Sequence, residues 1–203
     1  GSYQDDNAGG TDAGAAYIYT YSGGSWGSEV KIVGTDAQAN DGFGMSVSMS
    51  GDGTRVIVGA GYEDGIGAQG GTSSGAAYIF TYSGGSWDTG VKIFGPGVPA
   101  HSNFGVDVSM SSDGTKVIVG AYAQDIGGLG NAGAAYVYTY SGSSWDAGTQ
   151  ILASDKAAND RFGCSVAMNS DGTKVIVTAN GEDAGGSDAG AAYIYTYSGG
   201  SWG

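Results

Sequence analysis

The chain has 203 residues, 40% of them hydrophobic, which is enough apolar material for the core of one domain. Its net charge of -13, from 7 Lys plus Arg against 20 Asp plus Glu, excludes nucleic acid as a partner, since phosphate binding needs clustered cations. No apolar run approaches the roughly 18 residues of a membrane span, so no membrane insertion is expected, and the single cysteine, Cys164, excludes an internal disulfide framework.

Residues 12–26 read D-A-G-A-A-Y-I-Y-T-Y-S-G-G-S-W, and close copies end at Trp26, Trp87, Trp145 and Trp202, spaced by 61, 58 and 57 residues. Residues 12–26 and 188–202 are identical. Such self-similarity is a structural repeat and has to be recognised before any residue receives a role. The 42 glycines recur at fixed offsets among Val, Ile, Tyr and Trp, which predicts many short strands joined by tight turns. Gly1-Ser2 reads as a leftover of cloning.

In chain order, the signature predicts a strand whose two faces can both pack, here called segment three. A two-residue glycine hairpin follows it at Gly23-Gly24, Gly84-Gly85, Gly142-Ser143 and Gly199-Gly200. Segment four (26–33, 87–94, 145–152) is the most polar and carries Lys31, Lys92 and Gln150, which suits an edge strand protected by charge. The next connection holds Asp36 and Asp41, or Asp155 and Asp160, whereas the middle copy has Gly95-Pro96 and His101.

Segment one (43–50, 104–111, 162–169) alternates bulky Phe43, Met45, Val47 and Met49 with Gly44, Ser46 and Ser48, the period of a strand. Cys164 takes the place of Met45 and Val106 and reads as a small buried hydrophobe. Two-residue Asp-Gly turns are predicted at Asp52-Gly53, Asp113-Gly114 and Asp171-Gly172. They lead into segment two (55–60, 116–121, 174–179), whose Val-Ile-Val core predicts cover on both faces. A longer loop, such as 61–74, then returns to segment three.

Four hairpin-linked antiparallel strands repeated about every 58 residues describe a β-propeller blade, so the expected fold is all-β, without helices. The expected domain is a single repeat unit, 1–203: a partial blade 1–34, blades 41–94 and 102–152, and an incomplete blade 160–203. Thirteen strands are counted in all. About three blades leave little room to close a ring, since propellers typically have four to eight. Self-association or membership of a larger propeller or array is therefore expected, with the identical copies inviting strand exchange. A β-trefoil is the competing fold, disfavoured by the repeat length.

Phe-Gly at Phe43, Phe104 and Phe162, V-I-V-G-A at 56–60 and 117–121, and the following G-A-A-Y together resemble the FG-GAP repeat of integrin alpha-subunit propellers and their bacterial and algal relatives. The likeness covers essentially the whole chain. It implies a non-enzymatic interaction module, extracellular or at the cell surface, often adhesive. Integrin-type blades often carry a D-x-D-x-D-G calcium loop between the first two strands, but here only G-D-G-T or S-D-G-T stands there, and one carboxylate cannot supply the oxygens calcium needs. The third copy reads V-T-A at 177–179, which predicts a different turn.

Candidate ligand-binding residues are the rim-loop acids Glu63, Asp64, Asp125, Glu182 and Asp183, with Asp5-Asp6 at the start. Calcium is their candidate ligand, and no other cofactor is expected. Adjacent carboxylates on extended backbone point apart, so a soluble acidic loop is the favoured reading. His101 lacks a partner Ser or Cys in the other repeats and reads as a solvated loop residue. Tyr17, Tyr19, Tyr21, Trp26 and their equivalents could stack on sugars, but strand spacing favours packing between blades. The glycine-rich stretches lack the setting of a phosphate cradle. The function expected is an interaction or structural module completed by self-association, with a protein or glycan ligand. The alternative is a lectin-like repeat protein, and a hydrolase using rim acids ranks third.

Overall fold

Each Val-Ile-Val run lies between two glycine-containing turns, and it becomes an inner strand of its own sheet. The computed structural model describes residues 1–64 and 71–203; it has seventeen strands and, among the described residues, no helix. Part of the 61–74 loop, residues 65–70, lies outside the described residues.

The first repeat has β1 (Ala16–Ile18) paired with β4 (Val30–Ile32), beside a hairpin of β2 (Tyr21–Ser22) and β3 (Ser25–Trp26). In the second, β5 (Phe43–Met49), β6 (Arg55–Ala60), β7 (Ala76–Ser83) and β9 (Val91–Ile93) pair in that order, and β8 (Ser86–Trp87) forms a hairpin with the end of β7. The third is a four-stranded sheet of β10 (Val108–Met110), β11 (Lys116–Ala121), β12 (Ala134–Thr139) and β13 (Thr149–Ile151). The fourth orders β14 (Phe162–Met168), β15 (Lys174–Ala179), β16 (Ala191–Ser198) and β17 (Ser201–Trp202). All these pairings are antiparallel.

The strand count exceeds thirteen because segment four is broken in the first two repeats, segment three is broken in the first, and β17 begins a further segment four. The Asp88 carboxylate accepts the amides of Thr81 and Gly90, both at 3.0 Å, and Gly90 sits at φ +80 under the Phe80 ring. The Trp hairpin therefore stops, and a separate three-residue strand resumes at Val91.

The Asp-Gly turns are also longer than read from sequence. Ser50 donates its amide to Arg55 O at 2.9 Å, leaving four residues, 51–54, in the loop. The Asp52 carboxylate closes that loop by accepting Ser50 Oγ at 2.7 Å and the Thr54 amide at 2.9 Å. The Gly-Gly hairpins do have two-residue loops, with Gly23 and Gly24 at φ +60 and +88, the left-handed pair such a turn requires.

Segment one does not alternate throughout. Phe43 pairs with Ala60 but Val47 pairs with Val58, so the strand bulges between them, and β14 bulges in the same way. The cause is a crossing of backbones. Gly44, Gly105 and Gly163 lie at φ +95, +94 and +91, and a Cβ on any of them would overlap the carbonyl oxygen of Ala15, Ala76 or Ala134 of the preceding repeat. Phe43, Phe104 and Phe162 bridge Gly14, Gly75 and Gly133 at the same crossings. The Phe-Gly signature thus marks where one sheet's backbone meets the next. Gly105→Ala should lower stability by about 2 kcal/mol or more, from left-handed strain and overpacking together; unfolding in denaturant checks this, and an unchanged midpoint would contradict it.

Two smaller expectations are corrected. Cys164 is only half buried, its Sγ 3.2 Å from Thr178 Oγ1, because the bulge turns it away from the core. Thr178 does not alter the turn, since it pairs with Ala192 as Gly59 pairs with Ala77. At the start of the chain, Ser2 bridges Ala15 where Ala60 pairs with Ala76 in the next repeat.

The sheets stack face to face in sequence order, and the core lies between them. One cluster joins Ala16 and Ile32 of the first repeat to Val56, Val58, Tyr78 and Phe80 of the second. The next joins Ile57, Ile79 and Ile93 to Val117, Val119, Tyr136 and Tyr138, and the last joins Ile118, Val137 and Ile151 to Val166, Val175 and Val177. The Val-Ile-Val runs of β6 and β11 are therefore shared between neighbours, as stacked repeats require, whereas the expected two-sided cover fails in β15, where Ile176 is 39% exposed because, among the described residues, no sheet stands on that face.

Candidate functional site

The loop after segment two returns to segment three, and Asp64, Asp125 and Asp183 each meet that loop's own backbone. Asp64 Oδ1 accepts the Ser73 amide at 2.7 Å, Asp125 Oδ1 that of Asn131 at 2.8 Å, and Asp183 Oδ1 that of Asp188 at 2.7 Å. Asp6 does the same for Asp12 at 2.9 Å. These acids cap loop amides. Their neighbours Glu63 and Gln124 are buried on the other side, Glu182 accepts the Ala184 amide of its own loop at 2.9 Å, and the described residues contain no group of three or more potential metal ligands.

The inward residues form one recurring arrangement. Tyr78 donates its hydroxyl to Asp36 at 2.7 Å, and Lys92 bridges Asp36, at 2.7 Å, and the buried Glu63. Tyr17 and Lys31 both bind Asp5 in the first repeat. In the third, neutral groups take over: Tyr136 donates to Gln124 at 2.7 Å and Gln150 donates to Tyr136 at 2.8 Å. In the fourth, Tyr193 donates to Asp155 at 2.9 Å, burial and then Asp155 raise the phenol's pKa with Glu182 adding less, and no lysine joins them among the described residues.

Burial pushes the Glu63 carboxyl up to about 7 against the opposing pull of Lys92, and its Oε2 is buried without a hydrogen bond. Burial, and then Glu63 and Asp36, push the Tyr78 hydroxyl far above the ordinary phenol range. In the Asp-Gly turns, hydrogen bonds from Ser50 and Thr54 hold Asp52 down to about 2. That carboxylate is occupied by its own turn.

His101 is exposed at φ +61, the position held by Asn40 at φ +70 and Asn159 at φ +69, and its amide donates to Thr72 O. It is a left-handed loop residue. Sequence reasoning missed Asp107, which stands where the neighbouring repeats have Ser46 and Ser165. Its Oδ1 accepts Ser46 Oγ at 2.8 Å, and its Oδ2 accepts Ser165 Oγ at 2.9 Å and the Val166 amide at 2.8 Å. One carboxylate thus clips three repeats together. The signal was its place in a row of serines.

Two further features remain open to solvent. Three grooves of about 940, 560 and 370 Å³ lie between successive repeats, each with a Tyr-Trp pair on its wall: Tyr82 and Trp87, Tyr140 and Trp145, Tyr197 and Trp202. The rings of these pairs stand 5.3–5.4 Å apart. The last sheet, and the edge of the second sheet beyond the two-stranded first repeat, also expose side chains that are covered elsewhere. Ile194 is 70% exposed where Ile79 is 1%, and Val47 and Met49 are 49% and 46% exposed where Val108 and Met110 are 4% and 6%.

Separate four-stranded sheets, stacked in sequence order and crossing at Phe-Gly, define a blade-type repeat protein. The FG-GAP repeat family matches residues 26–80, 87–138 and 145–195, and the chain belongs to that family. No curated protein matches the chain.

Proposed function

We propose that this FG-GAP repeat chain is a non-enzymatic interaction and structural module of the extracellular space or cell surface, completed by self-association. The observation that supports it is apolar surface left open on the last sheet at Ile194 and beside the two-stranded first repeat at Val47 and Met49, positions whose counterparts Ile79, Val108 and Met110 are buried. Contiguous apolar surface of this kind marks an interaction site. The titratable groups described above cap turns or join sheets, which supports a structural role for them. The extracellular placement is supported by the likeness to integrin-type blades alone.

The test is particle mass across a concentration series, with and without calcium. A particle that grows from the 20.1 kDa chain to dimers or larger species as concentration rises is expected, unchanged by calcium. A monomer at every concentration would overturn the self-association.

A second reading, carbohydrate binding, draws on the three aromatic-walled grooves, because each presents the open side of a half-buried Tyr-Trp pair as a stacking platform for a sugar ring. Saturable binding on a glycan array, lost in Trp87→Ala and Trp145→Ala, would favour it.

A further inference from the structure

We propose that Lys92 and Asp36 become joined by an isopeptide bond, made by the chain itself with Glu63 carrying the protons and Tyr78 holding the carboxyl oxygen that stays. The bond is a modification inside the second repeat and does not depend on self-association.

Geometry is the first support. Lys92 Nζ stands 2.7 Å from Asp36 Oδ2 and also binds Glu63, while Tyr78 donates its hydroxyl to Asp36 Oδ1 at 2.7 Å. A nucleophile, an electrophile, a proton carrier and an oxyanion donor are thus already in contact. Reactants held in this way gain an effective concentration of about 10⁵–10⁸ M, which draws an ammonium and a carboxylate, stable as separate ions in water, toward the amide.

Burial is the second. Glu63 and Tyr78 are each 1% exposed, and Glu63 Oε2 is buried with no hydrogen bond. In a plain ion pair such an oxygen is destabilising; in a proton carrier it is the free site that takes up a proton and hands it on. Burial also pushes the Glu63 carboxyl up to about 7, which makes it a better acceptor than an exposed carboxylate. Asp36 keeps 31% of its side chain in solvent, and that leaves a way out for the released water.

Glu63 takes one proton from the Lys92 ammonium and passes it to Asp36 Oδ2. The neutral amine attacks Asp36 Cγ, forming the N–C bond, and an electron pair of the carbonyl moves to Oδ1, where the Tyr78 hydroxyl stabilises it. Glu63 then moves a second proton from nitrogen to Oδ2, the pair returns from Oδ1, and the C–Oδ2 bond breaks with loss of water. Glu63 ends as it began. Burial favours the neutral amine of Lys92, but its hydrogen bonds to Asp36 and Glu63 outweigh burial and raise its pKa, so the ammonium predominates and the reaction is slow. Freshly prepared chain is therefore unreacted, and the titration of Glu63 belongs to that state.

The third support is an internal comparison. Gly97, Gln124 and Gln150 stand where the second repeat has Asp36, Glu63 and Lys92, whereas the tyrosine is kept as Tyr136. All three reacting groups are replaced together, and Tyr136 still holds hydrogen bonds to both glutamines. The fold thus needs polar groups here, but not these ones. Asp36 precedes β5 and Lys92 lies in β9, 56 residues on, so the bond encloses the whole second repeat in a covalent ring and pins a three-residue outer strand.

The test is the intact mass of the denatured chain, followed through days of incubation at neutral pH. A loss of one water is expected, with digestion and tandem mass spectrometry finding a peptide pair linked between Asp36 and Lys92. Glu63→Gln and Lys92→Gln, which copy the third repeat, should keep their full mass, and Tyr78→Phe should slow the linkage by about a hundredfold. A succinimide at an Asp-Gly pair loses the same water but leaves no linked peptide; that result, like an unchanged mass, would overturn the bond. Linkage at an undiminished rate in Glu63→Gln would overturn the part given to Glu63. Because the mass is read on denatured chain, each result leaves the self-association proposed above untouched.

Discussion

Replacing Phe104 by alanine is expected to destabilise the chain by about 3–5 kcal/mol, the usual loss for emptying a fully buried aromatic site. Phe104 is 0% exposed and stands edge-on to Tyr136 and Tyr138, with ring centres 5.5 and 6.2 Å away. It also bridges Gly75 of the preceding repeat, so the cavity would open at the point where two sheets cross. At roughly 2–4 °C of melting temperature per kcal/mol for a chain of this size, the midpoint should fall by about 10 °C. A matched pair isolates the contribution of stacking. Ile79→Ala should cost about 2–5 kcal/mol and Ile194→Ala under about 0.5 kcal/mol in the monomer, though both occupy the same place in the repeat. Equal losses would mean that the sheets do not cover one another.

Glu63→Gln is expected to stabilise the chain above neutral pH and to change little below about pH 4.5. Burial raises the Glu63 carboxyl from its ordinary 4.5 to about 7, so between those values the folded chain binds a proton that the unfolded chain has released. Stability contributed by this group therefore falls as pH rises through the window, and it stays low above it. Glutamine cannot titrate. The advantage of the variant should grow across the window to as much as about 3 kcal/mol, since each pKa unit is worth about 1.4 kcal/mol. Lys92 keeps Asp36 as a partner in the variant, and the third repeat already carries Gln124 at this place. Denaturant unfolding from pH 4 to 8 reads the effect; parallel curves for the two proteins would refute it.

Strand positions were legible because period-two alternation and Gly-containing turns act within a few residues of chain. Val-Ile-Val runs became the shared strands β6 and β11, and the Gly-Gly pairs became two-residue hairpins, since both outcomes follow from local backbone preference and side-chain size. The bulges after Phe43 and Phe162 were not legible. They exist because another repeat's carbonyl presses on Gly44 and Gly163, a contact about thirty residues away in sequence. For the same reason Cys164 came out half buried.

The candidate acids show the same division. Adjacent carboxylates pointing apart could be read from extended backbone, and Asp64, Asp125 and Asp183 do cap loop amides while Glu63 turns inward. That Glu63 would meet Lys92 and Asp36 could not be read, because the three come from different segments brought together only when β7 and β9 pair and the preceding connection folds over them.

By itself the amino-acid order determined the repeat, the all-β fold and the family, since self-similarity and strand patterning are properties of one dimension. Only the stacked structure decided which copies of an identical strand are covered. Ile194 and Ile79 have nearly the same sequence neighbours but opposite exposure, because burial depends on which sheet stands alongside, and nothing local to the residue encodes that.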